Sequence, residues 1–179
     1  MLSITPSVYL ITQYHQALAQ NYNTSVSMSP PSTSTMDQQS NSSITLGKPI
    51  FTEYDKTTTP PKPSVVNGTD GLRVSYLGSG VVKGVNFTAN GSVFIVPRSD
   101  GFADLRGHAV MSTANGENGT YNFYSLGHQD ANGSAKDHGV LFFHTTSNGK
   151  LSIINGLVVV FKDQMNKAGN GITIGWEWK

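Results

Sequence analysis

The stretch VLFFHTTSNGKLSIINGLVVVF, residues 140–161, decides the fold class of this chain. Its two ends are short runs of β-branched and aromatic residues, which favour strands. Between them, Ser147-Asn148-Gly149-Lys150 contains residues that tolerate positive φ. The stretch therefore predicts two antiparallel strands joined by a tight hairpin.

The same pattern continues on both sides of this stretch. Apolar and polar residues alternate with period two, and turns are marked at residues 90–91, 100–101, 115–116, 118–119 and 132–133, each Asn-Gly or Asp-Gly. The predicted strands are Leu72–Leu77, Val81–Phe87, Ser92–Val96, Ala103–Thr113, Tyr121–Leu126, Val140–Thr146, Leu151–Phe161 and Ile172–Trp178. About eight strands joined by hairpins predict an all-β antiparallel meander that closes into a small barrel, since closure removes exposed edges. A β-sandwich is the alternative.

Two of these strands are apolar on both faces. Val158–Phe161 and Leu141–Phe143 have no polar position to turn toward water. A barrel wall of this kind needs a cover on its outer side. We therefore expect the N-terminal segment, a homo-oligomer contact or a cell-surface partner to pack there.

The first 66 residues differ in character from the rest. Residues 1–20 are fairly apolar and end in Ala17-Leu18-Ala19, which suggests an export signal or a short helix. The apolar stretch is too short for a transmembrane span. Residues 21–66 are rich in Ser, Thr and Pro and predict a disordered or extended linker or stalk. The β-barrel domain is predicted over residues 67–179.

Composition favours a location outside the cell and excludes several function classes. Only 13% of the 179 residues are charged, and the formal net charge is +1 with no basic run, so nucleic acid is not an expected partner. The absence of cysteine excludes disulfides and thiolate sites. Asn-x-Ser/Thr acceptor sites further favour a secreted or cell-surface glycoprotein, and they lie at Asn23, Asn41, Asn67, Asn86, Asn90, Asn118 and Asn132.

Three groups of residues support a resemblance between this chain and a known group of proteins. They are Gly78-Ser79-Gly80 with Gly84, the run Thr145–Leu151 with Asn155, and the C-terminal Trp176-Glu177-Trp178-Lys179. In these features, residues 70–179 resemble small exported archaeal β proteins, whose fold is similar to allene oxide cyclase-like or lipocalin-like barrels. The resemblance implies a barrel, but it carries no catalytic signature to this chain.

The predicted function is a binding or interaction module for a small apolar ligand, with no assigned reaction. Its ligand-binding candidates are Tyr76, Arg106, His108 and Trp176, because a few polar anchors in an apolar cavity orient a ligand. Simpler interpretations exist: the strand face of Asp104, Arg106 and His108 faces solvent, and Trp176 packs in the core.

Other kinds of site have weaker support in the sequence. His128, Asp130, Asp137 and His138 flank one polar loop, and Glu117 lies in a turn, but the spacing predicts neither a metal site nor a cofactor. No nucleophile motif is present. One alternative function is an allene oxide cyclase-like isomerase or lyase that uses Asp104 or Glu177. Another is a self-assembling structural surface subunit.

Overall fold

In the computed structural model, which describes residues 46–179, the alternating residues form nine strands. The strands are β1 (Phe51–Thr57), β2 (Lys62–Val66), β3 (Thr69–Val82), β4 (Val85–Pro97), β5 (Phe102–Ser112), β6 (Asn118–Gln129), β7 (Ala135–His144), β8 (Val158–Met165) and β9 (Asn170–Glu177). Within this range the only helix is a 3-10 helix, Lys150–Ile154. It is too short to cross a membrane, so the described residues contain no helical membrane span.

Eight of the strands close into an antiparallel barrel. Strands β3 to β9 pair each with the next, and β1 closes the ring by pairing with both β9 and β3. The remaining strand, β2, pairs only with Thr69–Arg73 at the start of β3. The predicted meander barrel is therefore confirmed.

The barrel begins earlier in the chain than the predicted boundary at residue 67. Strands β1 and β2 lie within the segment assigned to the linker, and Phe51 is in the core at 1% exposure. Alternation is visible in β1, but Thr, Pro and Ser around it obscured the pattern. The predicted signal or helix at residues 1–20 lies outside the described residues, as does the linker up to residue 45.

Several predicted turns are confirmed and others lie inside strands. Gly101, Gly116 and Gly133 occupy turns with φ between 81° and 86°. The predicted strand Val81–Phe87 is instead a hairpin, because Lys83 and Gly84 both have positive φ. The Asn-Gly pairs at 90–91 and 118–119 lie within β4 and β6. Gly91 is needed there because a Cβ would lie 2.4 Å from the ring of Tyr76.

The predicted hairpin at residues 147–150 is wrong, since the chain enters the 3-10 helix at this point. Leu151 and Ile154 are fully buried and pack in the core, so the helix closes one end of the barrel. Glu117 fixes the loop, because its Oε1 accepts hydrogen bonds from the Ser147 hydroxyl at 2.5 Å and the Leu151 amide at 3.3 Å. The 3-10 helix Lys150–Ile154, here called the plug, thus takes the place of the second strand of a hairpin.

Candidate functional site

The half of the barrel interior near the 3-10 helix is apolar, whereas the other half has carboxyl groups on β1, β7 and β8 and apolar side chains such as Ile95 and Leu105 on β4 and β5. Antiparallel partners point to the same face, so the register identifies every inward side chain. Near the 3-10 helix the interior is packed with the protein's own side chains at 3% exposure or less, including Phe51, Met111, Tyr121, Phe143 and Val159. Further from the helix, inward positions hold four carboxyl groups.

These four groups, here called the interior acidic cluster, are Glu53, Asp55, Asp137 and Asp163. Asp137 and Asp163 are direct cross-strand partners on β7 and β8. The inward positions of the eight barrel strands, all within the described residues, contain no Lys, Arg or His. No cationic side chain at these inward positions therefore balances the cluster.

Glu53 is the most deeply buried member, at 3% exposure. The hydroxyl of Tyr121 donates to Glu53 Oε2 at 2.7 Å, and the hydroxyl of Tyr76 lies 2.9 Å from that of Tyr121. Since Tyr121 donates to the carboxyl group, Tyr76 donates to Tyr121. Glu53 Oε1 has no hydrogen-bond partner among the described residues, and it lies over Gly78, where a side chain would collide with it.

The aspartates are partly hydrogen-bonded. The Ser125 hydroxyl donates to Asp137 Oδ2 at 3.1 Å, and the Thr173 hydroxyl donates to Asp163 Oδ1 at 2.8 Å. Asp137 Oδ1 is buried and has no partner in the described part of the chain. Asp55, Asp137 and Asp163 are half-buried rather than sealed, so this end of the interior is closer to water than Glu53 is.

Burial sets the protonation of this cluster. Desolvation raises the pKa of Glu53 to about 8, and the charges of Asp55 and Asp163 add to it, against a lowering by the Tyr121 hydrogen bond. Desolvation also raises the pKa of Asp55 and of Asp137 to about 7, with repulsion from Asp163 second. The pKa of Asp163 is raised by burial. Around neutral pH the cluster therefore holds protons that ordinary carboxyl groups release.

The predicted ligand-binding residues do not converge on one site. Tyr76 points inward and contacts Tyr121. Arg106 and His108 are exposed on the outer face of β5, where His108 Nδ1 lies 2.9 Å from Asn122 Oδ1. Trp176 is on the outer face of β9, not in the core.

The two carboxylates considered for an isomerase are also not in the acidic cluster. Asp104 faces outward with its Oδ1 3.5 Å from Arg98, and Glu177 forms a 2.9 Å ion pair with Lys83. Among residues 46–179 no group of His, Asp or Glu side chains has an arrangement that could hold a metal ion.

Sequence reasoning missed the acidic cluster for identifiable reasons. Glu53 and Asp55 lie in the segment assigned to the linker, and Asp163 follows an apolar run that ended the predicted strand. The available signal was Phe51-x-Glu53-x-Asp55, a period-two row that places acids on the same face as a buried aromatic ring.

Comparisons with known proteins bear on the fold alone. No known protein family matches the chain, and no curated protein matches its sequence. A β-barrel-like protein from Acinetobacter baumannii is 17% identical, with a TM-score of 0.63 over 79% of this chain and 100% of that one. Two proteins of unknown function also share the fold. One, from Rhodopseudomonas palustris, is 12% identical (TM-score 0.62; 76% and 99% covered), and the other, from Clostridium acetobutylicum, is 12% identical (0.59; 74% and 98%).

Proposed function

We propose that this protein is a binding module whose barrel interior takes a small molecule carrying an amine cation. The observation that carries the proposal is the interior acidic cluster, which has no Lys, Arg or His beside it at the inward strand positions of residues 46–179. Buried carboxylates are normally paired with a cation, because an isolated buried charge is costly. Here the inward positions of the described strands supply no such partner.

The hydrogen bonding of the cluster supports an ammonium group as the ligand. Glu53 Oε1 and Asp137 Oδ1 are buried acceptors without a donor in the described structure. An ammonium group carries donors and no acceptor, so it is the kind of group that such acceptors bind. Because the pKa values of the cluster are raised, binding of a cation would displace protons from it.

A purely apolar ligand is less well supported than this amine. The apolar half of the interior is filled by its own side chains, with Val82, Met111, Leu151, Ile154 and Val159 at 0% exposure. Entry there would require displacement of the core. The aspartates are half-buried, so the cationic end of a ligand would enter among them rather than through the filled half.

We further propose that the protein works outside the cell or at the cell surface. In the described residues, the acceptor sites Asn67, Asn86, Asn90, Asn118 and Asn132 all have exposed side chains, so each is accessible for glycosylation. Intact-mass measurement of the protein from its native source tests this. A mass equal to that of the unmodified full-length chain would count against export with glycosylation.

Isothermal titration calorimetry with ethylamine, benzylamine and putrescine tests the binding function, with propionate as the anionic probe. We expect amine binding accompanied by proton release, measured by repeating the titration in buffers of different ionisation enthalpy. Asp163→Asn should weaken binding at least tenfold, about 1.4 kcal/mol or more. Asp104→Asn, on the outer face, should leave affinity unchanged. Equal binding of propionate, or an unaltered affinity in Asp163→Asn, would contradict the proposal.

A second candidate is a proton-transfer enzyme of the isomerase or lyase class. The observation that favours it is Glu53, which combines a pKa of about 8 with a Tyr121 hydrogen bond and a second oxygen that has no hydrogen-bond partner among the described residues. The carboxylate would remove a proton from the α-carbon of a β,γ-unsaturated ketone and return it to the γ-carbon. Formation of the conjugated product is followed by ultraviolet absorbance, and turnover that persists in Glu53→Gln would exclude Glu53 as the base.

A further inference from the structure

The outer face of β6 to β9 carries a continuous apolar surface. We call it the outer apolar band, and it consists of Tyr124, Val140, Phe142, Val158, Val160, Ile172, Ile174 and Trp176. Tyr124 is 53% exposed and Phe142 is 44% exposed. Large aromatic side chains on the outside of a barrel leave apolar area in water that a partner surface would cover.

The register shows that the band is contiguous. Tyr124 pairs with Val140, Val140 with Val160, and Val160 with Trp176, so one row crosses all four strands. Phe142 extends the row sideways, since its ring packs edge-on against Tyr124 with centroids 6.4 Å apart. The chain therefore presents one patch rather than scattered apolar residues.

On the four strands that carry the band, the outward charges have a single sign. The outward positions of β6 to β9, all within the described residues, include Lys136 and Lys162 and no Asp or Glu. The Lys162 ammonium lies 5.8 Å from the centre of the Trp176 ring. Beside it is a depression of about 180 Å³ lined by Lys162, Gln164, Ile172 and Ile174. Of the acidic side chains on these strands, Asp137 and Asp163 point inward, and Glu177 at the end of β9 is paired with Lys83.

We propose that the outer apolar band docks on a membrane surface that carries anionic headgroups. Aromatic rings beside lysines suit the interface between acyl chains and headgroups, where the rings bury apolar area and the lysines stay at the charged layer. Charge complementarity favours an anionic membrane over a second copy of the chain or a nucleic acid. A second copy of the same face would bring lysines toward lysines, and a nucleic acid requires more phosphate-binding cations than these two.

Vesicle co-sedimentation of the full chain tests the proposal. We expect binding to phosphatidylcholine–phosphatidylserine vesicles and much weaker binding to phosphatidylcholine alone. Lys136→Gln and Lys162→Gln should each weaken binding about fivefold, the effect of one lysine near an anionic surface. The matched control is Lys62→Gln, because Lys62 is exposed on β2, which pairs with β3 on another side of the barrel. Phe142→Ser removes apolar area at an exposed position and should weaken binding to both vesicle types.

Three results would overturn the proposal. The first is no preference for anionic vesicles, and the second is an equal loss in Lys62→Gln and Lys162→Gln. The third is a homodimer, measured by light scattering, that Phe142→Ser dissociates, since the band would then be the contact between two copies. Circular dichroism of each variant establishes that the barrel is intact, so a loss of binding cannot come from unfolding.

Discussion

Replacement of Glu53 by Gln should make the protein more stable at high pH. Glu53 is 3% exposed, with its pKa raised to about 8 from an ordinary 4.5. Between these values the folded protein holds a proton that the unfolded chain has released. The contribution of Glu53 to stability is therefore fully present below about pH 4.5 and is lost as the pH rises to about 8.

The size of the effect follows from the difference between the pKa values of Glu53 in the folded and the unfolded protein. One pKa unit corresponds to about 1.4 kcal/mol, so the difference between 4.5 and about 8 gives roughly 4–5 kcal/mol. Gln has nearly the shape of a protonated Glu and can accept the same hydrogen bond from Tyr121. We therefore expect parent and Glu53→Gln to differ by less than about 1 kcal/mol near pH 4, and the variant to be more stable by several kcal/mol near pH 9.

Urea unfolding followed by the fluorescence of Trp176 and Trp178 measures this difference across the pH range. Asp55, Asp137 and Asp163 also titrate and are present in both proteins, so the subtraction gives the effect of Glu53 together with its repulsion of Asp55 and Asp163. The comparison requires equal m-values in the two proteins.

Parallel stability curves for parent and variant would refute this reasoning. Such a result would mean that Glu53 titrates near its ordinary pKa, and hence that water reaches it. Glu177→Gln is the matched control, because Glu177 is an acid whose pKa is lowered, chiefly by its hydrogen bond from Lys83. Its effect should be small and of opposite sign, with stability lost as the pH falls.

Three further predictions concern the packing of the interior and the plug. Tyr121→Phe should destabilise the fold by about 1–3 kcal/mol and raise the pKa of Glu53 further, because the carboxyl group loses its donor. Gly107→Ala should destabilise by about 1–3 kcal/mol, since the new methyl group would enter the space of an aromatic ring on the neighbouring strand. Glu117→Ala should cost about 1–3 kcal/mol by removing the acceptor that holds the barrel-closing loop.

Each of these has a measurement that could contradict it. Gly47→Ala is the control for Gly107→Ala, because nothing lies within 4 Å of a Cβ at Gly47. Equal melting temperatures for the two variants would rule out overpacking at Gly107. For Tyr121→Phe, an unchanged pH dependence of urea unfolding would show that the hydrogen bond to Glu53 is absent in solution. For Glu117→Ala, amide exchange at Leu151 should accelerate, and unaltered exchange would contradict the role of Glu117.

The local sequence predicted the structural features that depend only on a residue and its neighbours in the chain. The turns at Gly101, Gly116 and Gly133 were predictable because each needs a positive φ, which depends on the residue itself. The plug was not predictable, since Leu151 fits a strand as well as a helix until the open end of a barrel is there to receive it. Gly91 was mistaken for a turn because its purpose is space for Tyr76, a residue on another strand.

The sequence by itself determined an antiparallel all-β chain, because period-two alternation and Asn-Gly or Asp-Gly turns act between near neighbours. Only the tertiary structure decided which polar groups share the interior. Tyr121 reaches Glu53 across 68 residues of chain, and Asp137 faces Asp163 only in the register that β7 and β8 adopt. A shift of one residue would turn each of these carboxyl groups to water. Closure of the barrel fixes that register, and with it the acids inside and the lysines outside.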